Sequence, residues 1–202
     1  MTYVTPLRLE AITDPEMLEL IAQARAVGVP DDLFPRIISR APEQAKPIMR
    51  ALLMSFTQGN VDHRLKEIIR VLLARFANEK YFASLRSRKA QAMGLTEQRI
   101  DEGCNAYEDD AKEFSEAEKW ALRFADLLYL DHTQVDKEFY DNLKKHWTEA
   151  QIMELGSFMV CHYGMQMAMR ALAVELALLE VPSRTLLTGL KIVAPGKIVS
   201  AI

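Results

Sequence analysis

Asp62-His63-Arg64-Leu65-Lys66-Glu67-Ile68-Ile69-Arg70-Val71-Leu72-Leu73-Ala74-Arg75-Phe76 is the stretch on which the fold turns. Leu65, Ile68, Ile69, Leu72, Leu73 and Phe76 recur at i, i+3, i+4, i+7, i+8 and i+11, the period of a helix with one apolar face. Asp62 stands at its N-cap, and Asn78 lies near its end or at a junction with the next helix. That next helix runs from about Glu79 to Met93, stopped by Gly94, and Thr96 caps a short helix through Glu102. Ser115 with Glu118, and Thr148 with Gln151, each form the pattern of a capping box, so two more helices start there. The second of these extends to about Leu179, and Val135 to His146 reads as a short helix between them. Upstream, Glu16 to Val27 and Asp31 to Arg40 look helical, and Pro42 and Pro47 bracket the entry to a helix through Phe56. With eight glycines and almost no alternating β-branched runs, the chain reads as all-α.

The 202 residues are half hydrophobic, enough for one domain with a real core. A net charge of −3 and a pI near 5.9 give no basic footprint for nucleic acid. Cys104 and Cys161 are too few and too far apart for a disulfide framework or a metal knuckle, which fits a reducing cytoplasm. The N-terminus shows no secretory pattern. Leu155 to Val174 has the length of a membrane span but carries His162, Gln166 and Arg170 four residues apart, so it reads as a buried helix with a polar stripe. The histidines His63, His132 and His146 are scattered, which predicts no structural metal, and no phosphate-binding or acyl-serine motif is present.

Three groups of side chains could carry chemistry. Glu67 lies opposite the Leu65/Ile69/Leu72 stripe, either solvated and paired with Arg70 or Arg64, or enclosed and raised in pKa as a general acid or base. Glu79 and Arg86, two turns apart with Phe82 between them, form either a plain polar face or a carboxylate and a guanidinium aimed at one substrate. His162, Gln166 and Arg170, adjoining Tyr163, form either a structural network or subunit interface, or a proton shuttle and an anion anchor. Five of the ten methionines fall between 153 and 169 and suit core or pocket lining.

Three segments also occur in a telling order. They are Asp31-Asp32-Leu33-Phe34 through Ala41-Pro42; Val61 to Ile69, continuing to Tyr81 and to Ala90 through Thr96; and Phe114 to Glu118 through Asp126, followed by Thr148 to Ile152 and Tyr163. Together they resemble the carboxymuconolactone decarboxylase family, whose relatives include the AhpD-type alkylhydroperoxidases. The resemblance implies an all-α AhpD-like helical bundle over residues 31–181, with an N-terminal helical extension at 1–30 and a C-terminal tail or arm at 182–202. It also implies a homo-oligomer, as trimer, hexamer or dimer. In the redox members of that family the site is Glu-x11-Cys-x2-Cys-x3-His. Counted from Glu67, those places hold Glu79, Phe82 and Arg86 here, so the cysteine pair and the histidine are missing.

A peroxidatic centre needs a thiolate and a resolving thiol, and Phe82 can be neither. The resemblance therefore implies a cofactor-independent decarboxylase, lyase or isomerase acting on a small carboxylic acid or lactone from aromatic catabolism. In it Glu67 moves the proton, with Glu79 and His162 as further catalytic candidates. Arg86 or Arg170 holds the anion, and Tyr81, Phe82 and Tyr163 line the substrate. One alternative is the family's peroxidase role using Cys104 or Cys161; another is a non-catalytic oligomeric binding or scaffold protein.

Overall fold

The computed structural model describes residues 3–172, which form ten helices and three single turns of 3-10 helix, with no strand among them. The helices are α1 (Pro15–Val27), α2 (Leu33–Ile38), α3 (Pro42–Thr57), α4 (His63–Phe76), α5 (Lys80–Ser84), α6 (Arg88–Ala92), α7 (Glu97–Asn105), α8 (Glu116–Leu130), α9 (Lys137–Leu143) and α10 (Glu149–Ala171). None is long and apolar enough to cross a membrane. Residues 182–202, and the end of the last helix expected to reach Leu179, lie outside the described residues.

The expected caps form. The Asp62 carboxylate accepts from Arg64 N at 2.7 Å, Thr96 Oγ1 accepts from Arg99 N at 3.1 Å, and both capping boxes close. α9 is shorter than its pattern, and Pro47 sits inside α3 rather than at its entry.

α4 is the axis of the molecule, and eleven of its fourteen residues are buried, including His63, Lys66, Glu67 and Arg70. The expected one-faced helix is instead enclosed, because α3, α5, α7, α8 and α10 all pack around it. α10 runs parallel to it: Gln166 Nε2 donates to the Arg70 carbonyl at 3.0 Å, and Arg170 donates to the Ala77 carbonyl at 2.5 Å. α1 packs on α2, α3 and α6, so Met17, Leu20, Ile21 and Ala24 enter the same core as α4. Lys66 Nζ closes the end of α3 by donating to the carbonyls of Ser55 and Gln58 at 2.8 and 2.6 Å, and pairs with Glu154 of α10.

The helix expected over Glu79 to Met93 is two five-residue helices. The chain leaves α5 at Leu85, where φ −71° and ψ 151° are extended, and Ser87 starts α6 by accepting from Ala90 N at 3.3 Å. At this break the backbone bonds to α4 side chains instead of to itself. Gly28, at φ +86°, ends α1 against it; a Cβ there would lie 2.7 Å from the Arg86 carbonyl oxygen, so only glycine fits both the backbone and the contact.

Candidate active site

Glu67 and Arg70, one helical turn apart on α4, form a bidentate pair: Nε to Oε2 at 2.7 Å and Nη2 to Oε1 at 2.8 Å. Both are buried, at 1% and 0% exposure. Such a pair persists only if its remaining donors and acceptors are met. Arg70 donates further to the Phe82 carbonyl at 2.6 Å and the Leu85 carbonyl at 2.7 Å, and Glu67 Oε1 accepts the Ser87 N–H at 2.9 Å. The solvated glutamate is thus ruled out, and the Arg70 partner is present. Glu67 is enclosed by an ion pair and a backbone amide.

His63, one turn earlier, joins the same loop. Its Nδ1 lies 2.9 Å from the Phe56 carbonyl, and its Nε2 lies 2.7 Å from Ser87 Oγ. A carbonyl can only accept, so Nδ1 carries the proton of the neutral ring and Nε2 accepts from the serine hydroxyl. Burial holds the His63 pKa down, which keeps the ring neutral.

Glu79 caps α5, its carboxylate accepting from Tyr81 N at 3.3 Å and Phe82 N at 2.6 Å. It follows Asn78, whose φ of 48° turns the chain out of α4. Burial pushes the Glu79 carboxyl up to about 7, against the pull of the Phe82 amide, Arg70 and Arg170. Tyr81 and Phe82 are wholly buried beside it, their rings 4.7 Å apart, with Phe34 edge-on to Phe82 at 5.9 Å. Among the described residues the Tyr81 hydroxyl has no partner. Arg70 thus meets Glu67 and the Phe82 carbonyl, while Glu79, with Tyr81 and Phe82, lies just past the end of α4 within the field of Arg70 and Arg170.

The other expected residues go elsewhere. Arg86 does not share a helix face with Glu79, because the break at Leu85 carries it away. Its guanidinium is held by Glu97 at 2.8–3.0 Å and by the Ala83 and Leu85 carbonyls at 2.6 and 2.7 Å. His162 lies toward the N-terminal half of α4, its ring centroid 4.3 Å from that of Phe158 and 5.4 Å from that of Phe56. Neither ring nitrogen has a hydrogen-bond partner among the described residues. Burial, aided by Arg70, brings its pKa down to about 3. Tyr163 packs on Tyr129 of α8, the centroids 3.6 Å apart.

Two features escape the sequence reading. One is the convergence of Arg70, His63 and Ser87 on the α5–α6 break. The other is a cleft of about 480 Å³ bordered by Arg25, Asp31 and Asp32 on one side and Leu85, Arg86 and Arg88 on the other. Burial pushes Asp31 up to about 6. Only the Ser87 cap position was locally encoded, and it was masked by a helical run that continues through it.

The thiols are placed for packing. Cys104 Sγ lies 3.9 Å from the Ile68 carbonyl, and burial pushes it up to about 12; burial also raises Cys161. A peroxidatic thiol needs the opposite shift. Peroxide consumption in a coupled assay should therefore stay at the uncatalysed rate, with a C104S/C161S variant matching the parent; thiol-dependent turnover lost in that variant would restore the redox role. Among the described residues no three His, Cys, Asp or Glu side chains are grouped to hold a metal ion.

No protein family is matched across this sequence, nor is any curated protein. Crystal structures of the debrominase Bmp8 share the fold. A cysteine-to-alanine Bmp8 variant in complex with 2,3,4-tribromopyrrole is 18% identical, with 87% of this chain and 91% of that chain covered at a TM-score of 0.74. Apo Bmp8 is 17% identical, covering 85% and 90% at a TM-score of 0.73. The all-helical, AhpD-like arrangement implied by the resemblance is therefore present as a fold.

Proposed function

We propose that this protein is a small-molecule enzyme that works by acid–base chemistry, without a redox thiol, on a small carboxylic acid or lactone. Glu79 carries the reading: a buried carboxyl pushed up to about 7 stands within the field of Arg70 and Arg170, at the place where the spacing from Glu67 sets the first thiol of the redox members. A carboxyl titrating near neutrality can both take and return a proton. In its ionised form Glu79 takes a proton from the carbon beside a carbonyl, Arg170 holds the enolate, and the same carboxyl returns the proton to that carbon or, where a β,γ double bond extends the enolate, to the γ-carbon. Glu67, held by Arg70, fixes the α5–α6 break instead of moving the proton, and Tyr81 and Phe82 exclude water. The fold shared with a debrominase supports a small planar substrate.

Solvent-deuterium incorporation tests this without knowing the natural substrate. In D2O, proton NMR of a panel of γ-lactones and α,β-unsaturated carboxylic acids should show protein-dependent exchange. The rate should rise with pH through about 7 as Glu79 ionises. Glu79→Gln should lower it by about a hundredfold while keeping the melting temperature; exchange unchanged in that variant removes Glu79 as the proton carrier. The close packing at Glu67 and Glu79, 1% and 4% exposed, favours a second reading, a non-catalytic oligomeric binding protein. A folded protein inert toward the whole panel would support it.

A further inference from the structure

α10 is apolar nearly all round, with Glu154 the one charged residue between Glu149 and Arg170, yet one of its faces meets nothing in the described chain. Met153, Val160 and Met167, seven residues apart, are 66%, 65% and 40% exposed. Ser157, Gly164 and Ala171, four residues after each, are exposed as well. At about 100° per residue these six positions form one stripe about 80° wide, the seam of a two-helix coil. A helix apolar on every side is normally covered on every side.

Two glycines strengthen the point. A Cβ built on Gly156 or Gly164 would meet nothing within 4 Å among the described residues, so packing there gives neither a reason to be glycine. Each costs about 1 kcal/mol against alanine in a helix interior. Close approach of a second backbone is a reason.

We propose that this face of α10 packs against the same face of a second copy of the chain, with the two helices antiparallel about a two-fold axis. The stripe is complementary to itself only when reversed. In that register Met153 of one copy lies against Ala171 of the other, Val160 against Gly164, and Met167 against Ser157, so each large side chain meets a small one. A parallel pair would stack methionine on methionine and glycine on glycine. The resemblance implied an oligomer; this assigns a face, a direction and a register to one of its contacts.

Light scattering on the eluting full chain tests the face. Gly164→Leu, which enters open space among the described residues, should halve the assembly mass with helical circular dichroism unchanged. Crosslinking tests the register. In a C104S/C161S background, the S157C/M167C double variant treated with a short bismaleimide should give a covalent dimer, while neither single cysteine variant should. Within one chain the two positions are about 15 Å apart along the helix, beyond that reagent. A monomeric parent, an unchanged mass for Gly164→Leu, or crosslinking by either single variant would each overturn the proposal.

Discussion

Replacing Arg70 with Met should lower the free energy of unfolding by about 3–5 kcal/mol and the melting temperature by about 10 °C. The expectation follows from what the guanidinium leaves behind. Glu67, 1% exposed, would keep only the Ser87 amide, the Phe82 carbonyl would lose its side-chain donor, and the Leu85 carbonyl would keep only Arg86. An unpaired buried carboxylate is costly, whereas removing both charges together is often nearly neutral. The double substitution of Glu67 by Leu and Arg70 by Met should therefore be more stable than Arg70→Met alone. Urea unfolding of the four proteins in this cycle measures the coupling, and a single variant melting within 2 °C of the parent would show that the pair contributes little. Loss of the pair should also loosen the α5–α6 break, because four of the bonds fixing that loop run to Glu67, Arg70 and His63.

These three residues, together with Lys66, explain what could and could not be read from the sequence. Leu65, Ile68, Ile69, Leu72 and Leu73 gave α4 its period, and Asp62 gave it a start. Glu67 reads equally as solvated or enclosed, because nothing local decides between the two, and the same is true of His63, Lys66 and Arg70. Their partners are mostly backbone atoms of distant segments: the carbonyls of Phe56, Ser55, Gln58, Phe82 and Leu85, and the amide of Ser87. A backbone carbonyl has no letter in the sequence, so a polar residue that will be buried against one looks like any surface residue. The break at Leu85 was hidden for the same reason. Leu85 and Arg86 are ordinary helix formers, and what stops α5 is the capture of its neighbouring backbone by α4 side chains.

At the site the legible part was the spacing. Counting from Glu67 found Glu79 and Phe82, and both lie just past the end of α4. The pairing of Glu79 with Arg86 on one face failed because it assumed an unbroken helix, and the tertiary contacts break it. The polar stripe His162/Gln166/Arg170 has two fates that its spacing does not distinguish. Gln166 bonds to the Arg70 carbonyl of α4 and Arg170 to the Ala77 carbonyl just past its end, whereas His162 enters a ring cluster.

His162→Phe should make the protein more stable, by a margin that widens as the solution is acidified. The buried ring has no partner for either nitrogen among the described residues and stays neutral down to a pKa of about 3, whereas in the unfolded chain it protonates near 6.5. Between those values the unfolded state binds a proton that the folded state refuses. The contribution of neutral His162 is thus fully present above about 6.5 and is lost as pH falls, by about 1.4 kcal/mol per unit. Three carboxyls slope the other way. Burial pushes Glu79 up to about 7 and Asp31 and Asp126 up to about 6, so the folded state keeps protons that the unfolded state releases, and stability falls as pH rises through their windows. The parent's pH profile therefore mixes opposing slopes, and only the difference between parent and variant isolates the histidine. Urea unfolding at pH 7 and pH 4.5 should show the advantage of His162→Phe growing by about 2–3 kcal/mol. His162→Leu, which does not enlarge the side chain, should show the same growth even if Phe strains the cluster. An advantage independent of pH in both variants would mean that the ring is protonated in the folded state, and that a counter-charge reaches it through the wall formed by Phe56 and Phe158.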